Sequence, residues 1–167
     1  MSQDRRVVSD TGPMISLEKL GDGFRILRLL YDRILIPPSV LAEVIHGQFI
    51  DEHAYMEHYG ISGFLEVTQV QSQRALPESE LLDPGEIDAI RLALERNLPL
   101  LIEEEAGRRV AQQLGLQFSG IAGQILKAFR AEAIPSSEAQ EKLRELLAAG
   151  RINKRIYETL SEVLRSS

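Results

Sequence analysis

The sequence predicts an α/β protein with three layers, in which helices cover both faces of a central parallel sheet and more helices follow at the C-terminus. Segments typical of strands alternate with helical segments along most of the chain, which favours a parallel α/β fold. Three strand segments, Val7-Val8, Ile34–Ile36 and Leu100–Ile102, are apolar without alternation. Strands of that kind are buried on both faces, as in a covered parallel sheet.

The N-terminal part begins with a short buried strand over Arg6–Asp10, which ends at an acid. Thr11-Gly12-Pro13 turns the chain, and apolar residues at helical spacing predict a short helix over 14–20. Gly21-Asp22-Gly23 breaks this pattern, and a second helix follows over 24–30. The first strand is therefore followed by two helices.

Two more strands follow. Ile34–Ile36 forms the second strand, and Pro37-Pro38 ends it. Ser39 can cap the next helix, because its side chain accepts a hydrogen bond from a helical N–H. After polar residues over 48–63, the alternation over Phe64–Val70 predicts a third strand.

The helix over 83–97 has the clearest start in the chain. Asp83 takes the N-cap, Pro84 the first helical position and Glu86 the third, which is the pattern of a capping box. Leu98–Ile102 then predicts a fourth strand, with its proline near the start, where proline is tolerated.

The remainder predicts a helix over 106–114, a strand over 116–118 and a helix from Gly120. Pro135-Ser136-Ser137 separates these from two final helices over 138–149 and 153–165. We therefore expect one domain over residues 1–167, with a helical pair over 135–167 packed on it.

Composition excludes several classes of protein. The 167 residues include no cysteine, which rules out a disulfide scaffold, a Cys-based zinc site and a Cys nucleophile. Three histidines leave little room for a His-rich metal site. No apolar run approaches the ~18–20 residues that span a bilayer, and the N-terminus lacks the apolar stretch of a signal peptide. We therefore expect a cytoplasmic protein that does not contact membranes.

The charge is distributed unevenly. Residues 1–105 carry 9 Lys/Arg against 19 Asp/Glu, a net charge of −10, whereas residues 106–167 carry 10 against 6, a net charge of +4. The basic part could guide RNA or contact an acidic partner, or could simply be a solvated surface. An acidic protein binds nucleic acid less readily, unless divalent metal ions neutralise its acidic side.

Several carboxylates lie directly after predicted strands or near the starts of predicted helices. Asp10 and the pair Glu103-Glu104 follow strands directly, and Glu43 and Glu86 lie near the starts of helices. Ligands of a parallel sheet bind at the carboxyl ends of its strands, so these acids could converge there. Gathered carboxylates need a hard cation, and Mg²⁺ or Mn²⁺ at such a site suits hydrolysis of phosphodiesters.

Each acid also has a purely structural interpretation. Asp10 could cap the turn that follows it, and Glu86 fits the capping box without any catalytic role. Glu43 could be an ordinary solvated helix residue. The acids at 103–105 could favour the helix macrodipole at the start of the next helix.

Six segments, in the same order, resemble the PIN-domain family, in particular its uncharacterised VapC-like toxin relatives. The similarity extends over nearly the whole chain. The segments are Val7–Ile15, Ile36–Val44, Leu82–Ile90, Leu100–Glu104 with Arg108 and Ala111 after it, Gly120 with Gly123, and Leu146–Ile152.

This resemblance implies an endoribonuclease with acids around one or two Mg²⁺ or Mn²⁺ ions. By position, the metal-binding acids would be Asp10, Glu43, Glu86 and Glu104, with Glu103 beside the last. Thr11 would hold a carboxylate or a metal-bound water, and Arg108 would orient an acid or contact a substrate phosphate. The resemblance also implies RNA as substrate, a possible antitoxin protein as partner, a role as the toxin of that pair, and a homodimer.

The chain departs from the family where Glu103-Glu104 replaces the more common Asp-Asp or Asp-Glu. Glutamate is longer and has more rotamers, which could loosen an octahedral magnesium site. The alternative is therefore a catalytically degenerate PIN-fold module that binds RNA or protein. A haloacid-dehalogenase-like phosphatase is excluded, because Gly12 stands where that chemistry needs an acid.

Overall fold

Five short strands form one parallel sheet in the computed structural model, which describes residues 3–167. The strands are β1 (Arg6–Ser9), β2 (Arg33–Ile36), β3 (Leu65–Val67), β4 (Leu100–Leu101) and β5 (Phe118–Ser119). Their order across the sheet is β3-β2-β1-β4-β5, and every neighbouring pair is parallel. The first strand is therefore central, and its carboxyl end lies beside that of β4.

The helices come between and after the strands, and residues 3–167 form nine of them. They are α1 (Thr11–Glu18), α2 (Gly23–Leu30), α3 (Pro38–Ile45), α4 (Glu52–Tyr59), α5 (Pro84–Arg96), α6 (Glu105–Gln113), α7 (Ile121–Arg130), α8 (Ser136–Ala148) and α9 (Lys154–Arg165). A 3-10 turn over Ser79–Leu81 precedes α5. None of the helices in this described region is long and apolar enough to cross a membrane.

Two apolar clusters cover the two faces of the sheet. Consecutive residues of a strand point to opposite faces, so Val7 belongs to one cluster and Val8 to the other. The larger cluster includes residues of α1, α2, α3, α7 and α8, whereas α5 and α6 supply the smaller one. The predicted three-layer α/β fold is thereby confirmed, and the unbroken apolar strands are explained.

Strand ends differ from the sequence prediction for local reasons. The third strand spans three residues rather than the predicted 64–70, because β2 ends at Ile36 and the chain enters α3 at Pro38, which leaves the residues after Val67 without a strand to pair with. In the predicted strand 98–102, the N–H of Leu98 instead donates to Ala93 O and finishes α5. The following proline has no N–H, so pairing begins at Leu100.

Helix starts follow the sequence more closely. Asp83 Oδ1 accepts from the backbone N–H of Glu86 at 2.8 Å, and Glu86 Oε1 accepts from that of Asp83 at 3.0 Å, which is the predicted capping box. The polar stretch 48–63 contains α4, whose N-cap Asp51 accepts from Ala54 N at 2.9 Å. Gly60 ends this helix with a φ of +64°, a conformation that favours glycine.

The C-terminal helices extend the layer on the larger cluster. Helix α8 packs against α7 and α9, and its Leu143 and Leu146 are fully buried. The turn between α8 and α9 contains Gly150, with a φ of +73°, followed by Arg151. Met1 and Ser2, with which the predicted domain starts, lie outside the described residues.

Candidate active site

Asp10 lies at the centre of the sheet edge where the strands end. It follows β1, and its backbone N–H donates to Leu101 O at 3.0 Å, which fixes it beside β4. Only 3% of the residue is exposed. It is the N-cap of α1, but its side chain makes no capping hydrogen bond within residues 3–167. Capping of α1 therefore does not occupy the side chain of Asp10, although the nearby N–H of Thr11 favours its charged form.

Glu86 is a second buried acid, and its two oxygens have different surroundings. Only 5% of the residue is exposed. Its Oε1 is used by the capping box, whereas Oε2 is buried with no hydrogen-bond partner in the described chain. Asp10 Oδ1 is likewise buried with no hydrogen-bond partner among residues 3–167. We call these two atoms, Asp10 Oδ1 and Glu86 Oε2, the open oxygens.

The acids act on one another electrostatically. The pKa of Asp10 is raised from 3.8 to about 7, mainly by burial and to a smaller extent by the charges of Glu86, Asp83 and Glu43, against a lowering by the N–H of Thr11. Burial likewise raises the pKa of Glu86, with added contributions from the charges of Asp83 and Glu104. Asp10, Glu43, Glu86 and Glu104 are thus linked by charge interactions, and we call the region around these four acids the acidic cleft.

Two glycines leave room for these carboxylates. A Cβ on Gly107 of α6 would lie 2.7 Å from the open oxygen of Glu86 and 2.4 Å from Ile102 Cδ1. A Cβ on Gly85 would lie 2.7 Å and 2.9 Å from the two carboxylate oxygens of Glu43. Any side chain at either glycine would therefore enter the acidic cleft.

Glu43 and Glu104 form the exposed rim of the cleft. The Thr11 hydroxyl, which we expected to hold a carboxylate, donates to Glu43 Oε2. Glu104 is the N-cap of α6, and its side chain makes no capping bond in the part of the chain that the structure describes. Its carboxylate is therefore not occupied by a hydrogen bond to the start of α6.

Glu103 has a different environment from the other acids. Its Oε1 accepts from Ser16 Oγ at 2.7 Å and from Arg151 Nη2 at 3.3 Å, and its Oε2 accepts from Ile121 N at 3.0 Å. Both of its oxygens are thus engaged by protein donors. In the structure, Glu103 is therefore not available as a metal ligand beside the open oxygens.

For Arg108, the structure bears on only one of the two expected roles, that of orienting an acid. It is exposed on α6, with its guanidinium 5.5 Å from the centre of the Phe118 ring. It forms no ion pair with an acid among residues 3–167. The arginine that does contact a strand-end acid is Arg151. The sequence placed Arg151 in the basic C-terminal part, and no spacing rule linked it to Glu103.

The donor set fits a hard divalent cation in part. Carboxylate oxygens are the ligands that Mg²⁺ and Mn²⁺ prefer, and the two open oxygens are buried acceptors that lack a donor. Against this, no three His, Asp or Glu side chains within residues 3–167 stand close enough together to hold a metal ion. Asp10 and Glu86 are the buried acids that could hold such an ion at the centre, and the exposed rim acids would complete the set only after moving closer.

Comparison with known proteins agrees with this architecture. The fold is similar to that of a PilT N-terminus domain protein, SSO1118, from the hyperthermophilic archaeon Sulfolobus solfataricus P2, with a TM-score of 0.54 and 18% identity. That match covers 74% of this chain and 92% of the other, and at such identity it shows the fold alone. No curated protein matches the sequence significantly.

A family model described as a PIN domain matches residues 6–166, nearly the whole chain. PIN domains are typically nucleases and generally use divalent metal ions. A match to this family suggests that the protein binds RNA. The chain belongs to the PIN-domain family.

Proposed function

We propose that this protein is a metal-dependent endoribonuclease that hydrolyses phosphodiester bonds of RNA. The observation that carries the proposal is the pair of open oxygens, Asp10 Oδ1 and Glu86 Oε2, buried in one acidic cleft. Burying a polar atom without a partner is costly, so such atoms in a native protein call for a ligand or another explanation. A divalent cation is the ligand that a set of carboxylates would take.

The residues of the cleft have separable roles in this proposal. Asp10 and Glu86 hold the cation, and Glu43 and Glu104 complete its binding from the rim. Thr11 holds Glu43 through its hydroxyl. When bound, Mg²⁺ or Mn²⁺ supplies activation of water and neutralises charge on the phosphate. Arg108, exposed on α6 beside the cleft, contacts a phosphate of the substrate.

We also propose, from the similarity to VapC-like proteins, that the chain is the toxin of a toxin–antitoxin pair. In this role it acts in the cytoplasm, as a homodimer, and is neutralised by an antitoxin protein. Growth arrest on expression of the wild type, absent on expression of Asp10→Asn at equal protein levels, is the expected result. Arrest by both proteins would contradict a toxic activity that depends on the acidic cleft.

Cleavage of RNA tests the nuclease proposal directly. Labelled single-stranded and structured RNAs are incubated with Mn²⁺, Mg²⁺ or EDTA and either wild type, Asp10→Asn, Glu86→Gln or the control Glu141→Gln. Glu141 is exposed on α8, away from the strand ends. We expect metal-dependent cleavage by wild type and the control, and its loss in the two cleft variants. Equal cleavage by Asp10→Asn and wild type would contradict the proposal.

A second candidate function is a binding module that has kept the fold and lost the metal site. It is favoured by the absence, within residues 3–167, of three acids or histidines close enough to hold a metal. Binding to the folded state raises the melting temperature, so Mn²⁺ separates the two candidates. A rise in the wild type that is absent in Asp10→Asn supports the nuclease, and no rise in either supports the binding module.

A further inference from the structure

Arg151 connects three segments that are far apart in the sequence. Its Nε donates to Ser16 Oγ at 2.9 Å, and its Nη2 donates to Gly12 O at 3.0 Å and to Glu103 Oε1 at 3.3 Å. Ser16 in turn donates to the same Glu103 oxygen at 2.7 Å. We call Arg151, Ser16 and Glu103 the arginine clamp. Its parts come from the α8–α9 turn, from α1 and from the loop after β4.

The clamp joins the segments that carry two of the cleft acids. Gly12, whose carbonyl Arg151 binds, follows Asp10 by two residues at the start of α1. Glu103, the carboxylate of the clamp, immediately precedes Glu104. The second oxygen of Glu103 accepts from Ile121 N at 3.0 Å and adds the start of α7 to the same assembly. Arg151 therefore ties the segment that follows Asp10 to the loop that carries Glu104.

The arginine clamp is partly buried, which strengthens the attraction between its charged groups. The side chains of Arg151 and Glu103 are only 27% and 18% exposed, so water screens their attraction less than at an open surface. Glu103 also lies close to Gly12 and Gly120, where an added Cβ would be 3.6 Å from Oε1 and 3.3 Å from Oε2. Gly120 thus leaves space for the carboxylate, whereas a Cβ on Gly12 would be in ordinary van der Waals contact with it.

We propose that Arg151 is a positioning residue of the candidate metal site, acting through Ser16 and Glu103. This inference rests on the proposed function, because it needs the cleft to bind a cation. Arg151 neutralises Glu103 and holds it out of the cleft, and it anchors the loop that carries Glu104. Glu103 is accordingly a member of the clamp and not a ligand of the metal.

Affinity for Mn²⁺, measured by titration calorimetry on the full chain well below the melting temperature, tests this role. Arg151→Met and Ser16→Ala remove clamp bonds, whereas Arg151→Lys keeps the charge but cannot reproduce the planar fork of donors. We expect Arg151→Met to weaken Mn²⁺ binding by about 10- to 100-fold, the effect typical of groups that orient ligands. Ser16→Ala and Arg151→Lys should fall between it and the wild type.

Arg25→Met is the matched control. Arg25 Nη1 donates to both oxygens of Glu138, at 2.8 and 3.0 Å, and so joins α2 to α8 away from the cleft. This variant also loses an arginine–carboxylate pair between helices, and we expect it to keep wild-type affinity for Mn²⁺. An equal loss of affinity in Arg25→Met and Arg151→Met would overturn the proposal, because a general loss of stability would then account for both.

A double variant checks that Arg151 acts through Glu103. If it does, Glu103→Gln with Arg151→Met should bind Mn²⁺ no more weakly than Arg151→Met alone. Should Arg151→Met fail to fold, Ser16→Ala decides, since it removes one hydroxyl and keeps the ion pair. Wild-type affinity in Ser16→Ala and in every folded Arg151 variant would overturn the positioning role alone. Absence of Mn²⁺ binding by the wild type would instead overturn the proposed metal site.

Discussion

Asp83 and Glu86 cap the start of α5 through two reciprocal hydrogen bonds of 2.8 and 3.0 Å. The capping box uses only one oxygen of Glu86 and turns the other toward Gly107 of α6, where it is buried. The same local motif that begins a helix therefore also orients an acid into the cleft beside Asp10. For Glu86, the structural and the functional interpretations of the sequence do not compete.

This division of roles predicts different results for two substitutions at Glu86. Glu86→Gln keeps an oxygen that can accept from Asp83 N, so the free energy of unfolding should change by less than about 1 kcal/mol, while Mn²⁺ binding is lost. Glu86→Ala removes both the capping bond and the ligand and should cost about 1–2 kcal/mol. Urea unfolding and Mn²⁺ titration of both variants measure the two effects. Retained Mn²⁺ affinity in Glu86→Gln would show that this acid is not a ligand.

The raised pKa of Asp10 predicts how stability without metal depends on pH. The group titrates at about 7 in the folded protein and near 3.8 when its environment is ordinary. Between these values the folded state binds more protons than the unfolded state, so the free energy of unfolding falls as pH rises. The favourable contribution is complete below the lower value and is lost as pH rises through the upper one.

Asp10→Asn should remove this dependence. In EDTA at about pH 8, the variant should be more stable than wild type by roughly 2–4 kcal/mol, because it carries no buried charge. At about pH 4 the two proteins should have nearly the same stability, since the wild-type carboxyl is then protonated. Melting curves of both proteins across this range test the prediction. A constant difference at all pH values would show that burial of Asp10 does not shift its titration.

Gly85→Ala tests whether the rim acid Glu43 needs its present position. The new methyl group would lie within 3 Å of the Glu43 carboxylate, an exposed and flexible group that can move away at little cost. We expect stability to change by less than about 1 kcal/mol and metal-dependent cleavage to fall. In a Glu43→Gln background, Gly85→Ala should cause no further loss of cleavage. An undiminished effect in that background would mean that the methyl group acts on something other than Glu43.

Substitutions at two tyrosines, Tyr55 and Tyr59, test their hydrogen bonds to Glu18 of α1. Tyr55 is fully buried, and its hydroxyl donates to Glu18 Oε2 at 2.8 Å, whereas the Tyr59 hydroxyl lies 3.4 Å from Oε1. Burial raises the pKa of Glu18, and the bond from Tyr55 is the main contribution that lowers it. Tyr55→Phe should cost about 1.5–3 kcal/mol, the usual value of a hydrogen bond to a charged group. Tyr59→Phe should cost less, and urea unfolding that ranks the two variants in reverse would contradict this account.

The fold could be predicted from the sequence because its signals are local. The apolar pair Val7-Val8 is buried on both faces of the sheet, and Asp83 with Glu86 starts a helix through bonds across three residues. The positions of strand ends are predicted less accurately, because they depend on where a neighbouring strand stops. The end of β2 at Ile36, far from the third strand in the sequence, sets such an end for that strand.

The candidate site could be predicted only in part. The sequence predicts that Asp10 and Glu86 come together, because strand ends and helix starts place acids at one edge of the sheet, and in the structure the charge of Glu86 acts on Asp10. The clamp could not be found, because Arg151 and Glu103 are 48 positions apart and meet only when the C-terminal helices pack. The sequence therefore left Glu103 among the candidate ligands, whereas in the structure its oxygens are bound by Ser16, Arg151 and Ile121.

The central claim is that the buried acids after β1 and at the start of α5 bind a divalent cation. Calorimetric titration of Mn²⁺ into the wild type, Asp10→Asn and Glu141→Gln, at about pH 8 where the Asp10 carboxyl is ionised, tests it most directly. We predict saturable binding by the wild type and by Glu141→Gln, and its loss in Asp10→Asn. Binding of equal strength in all three proteins, or in none of them, would contradict the claim.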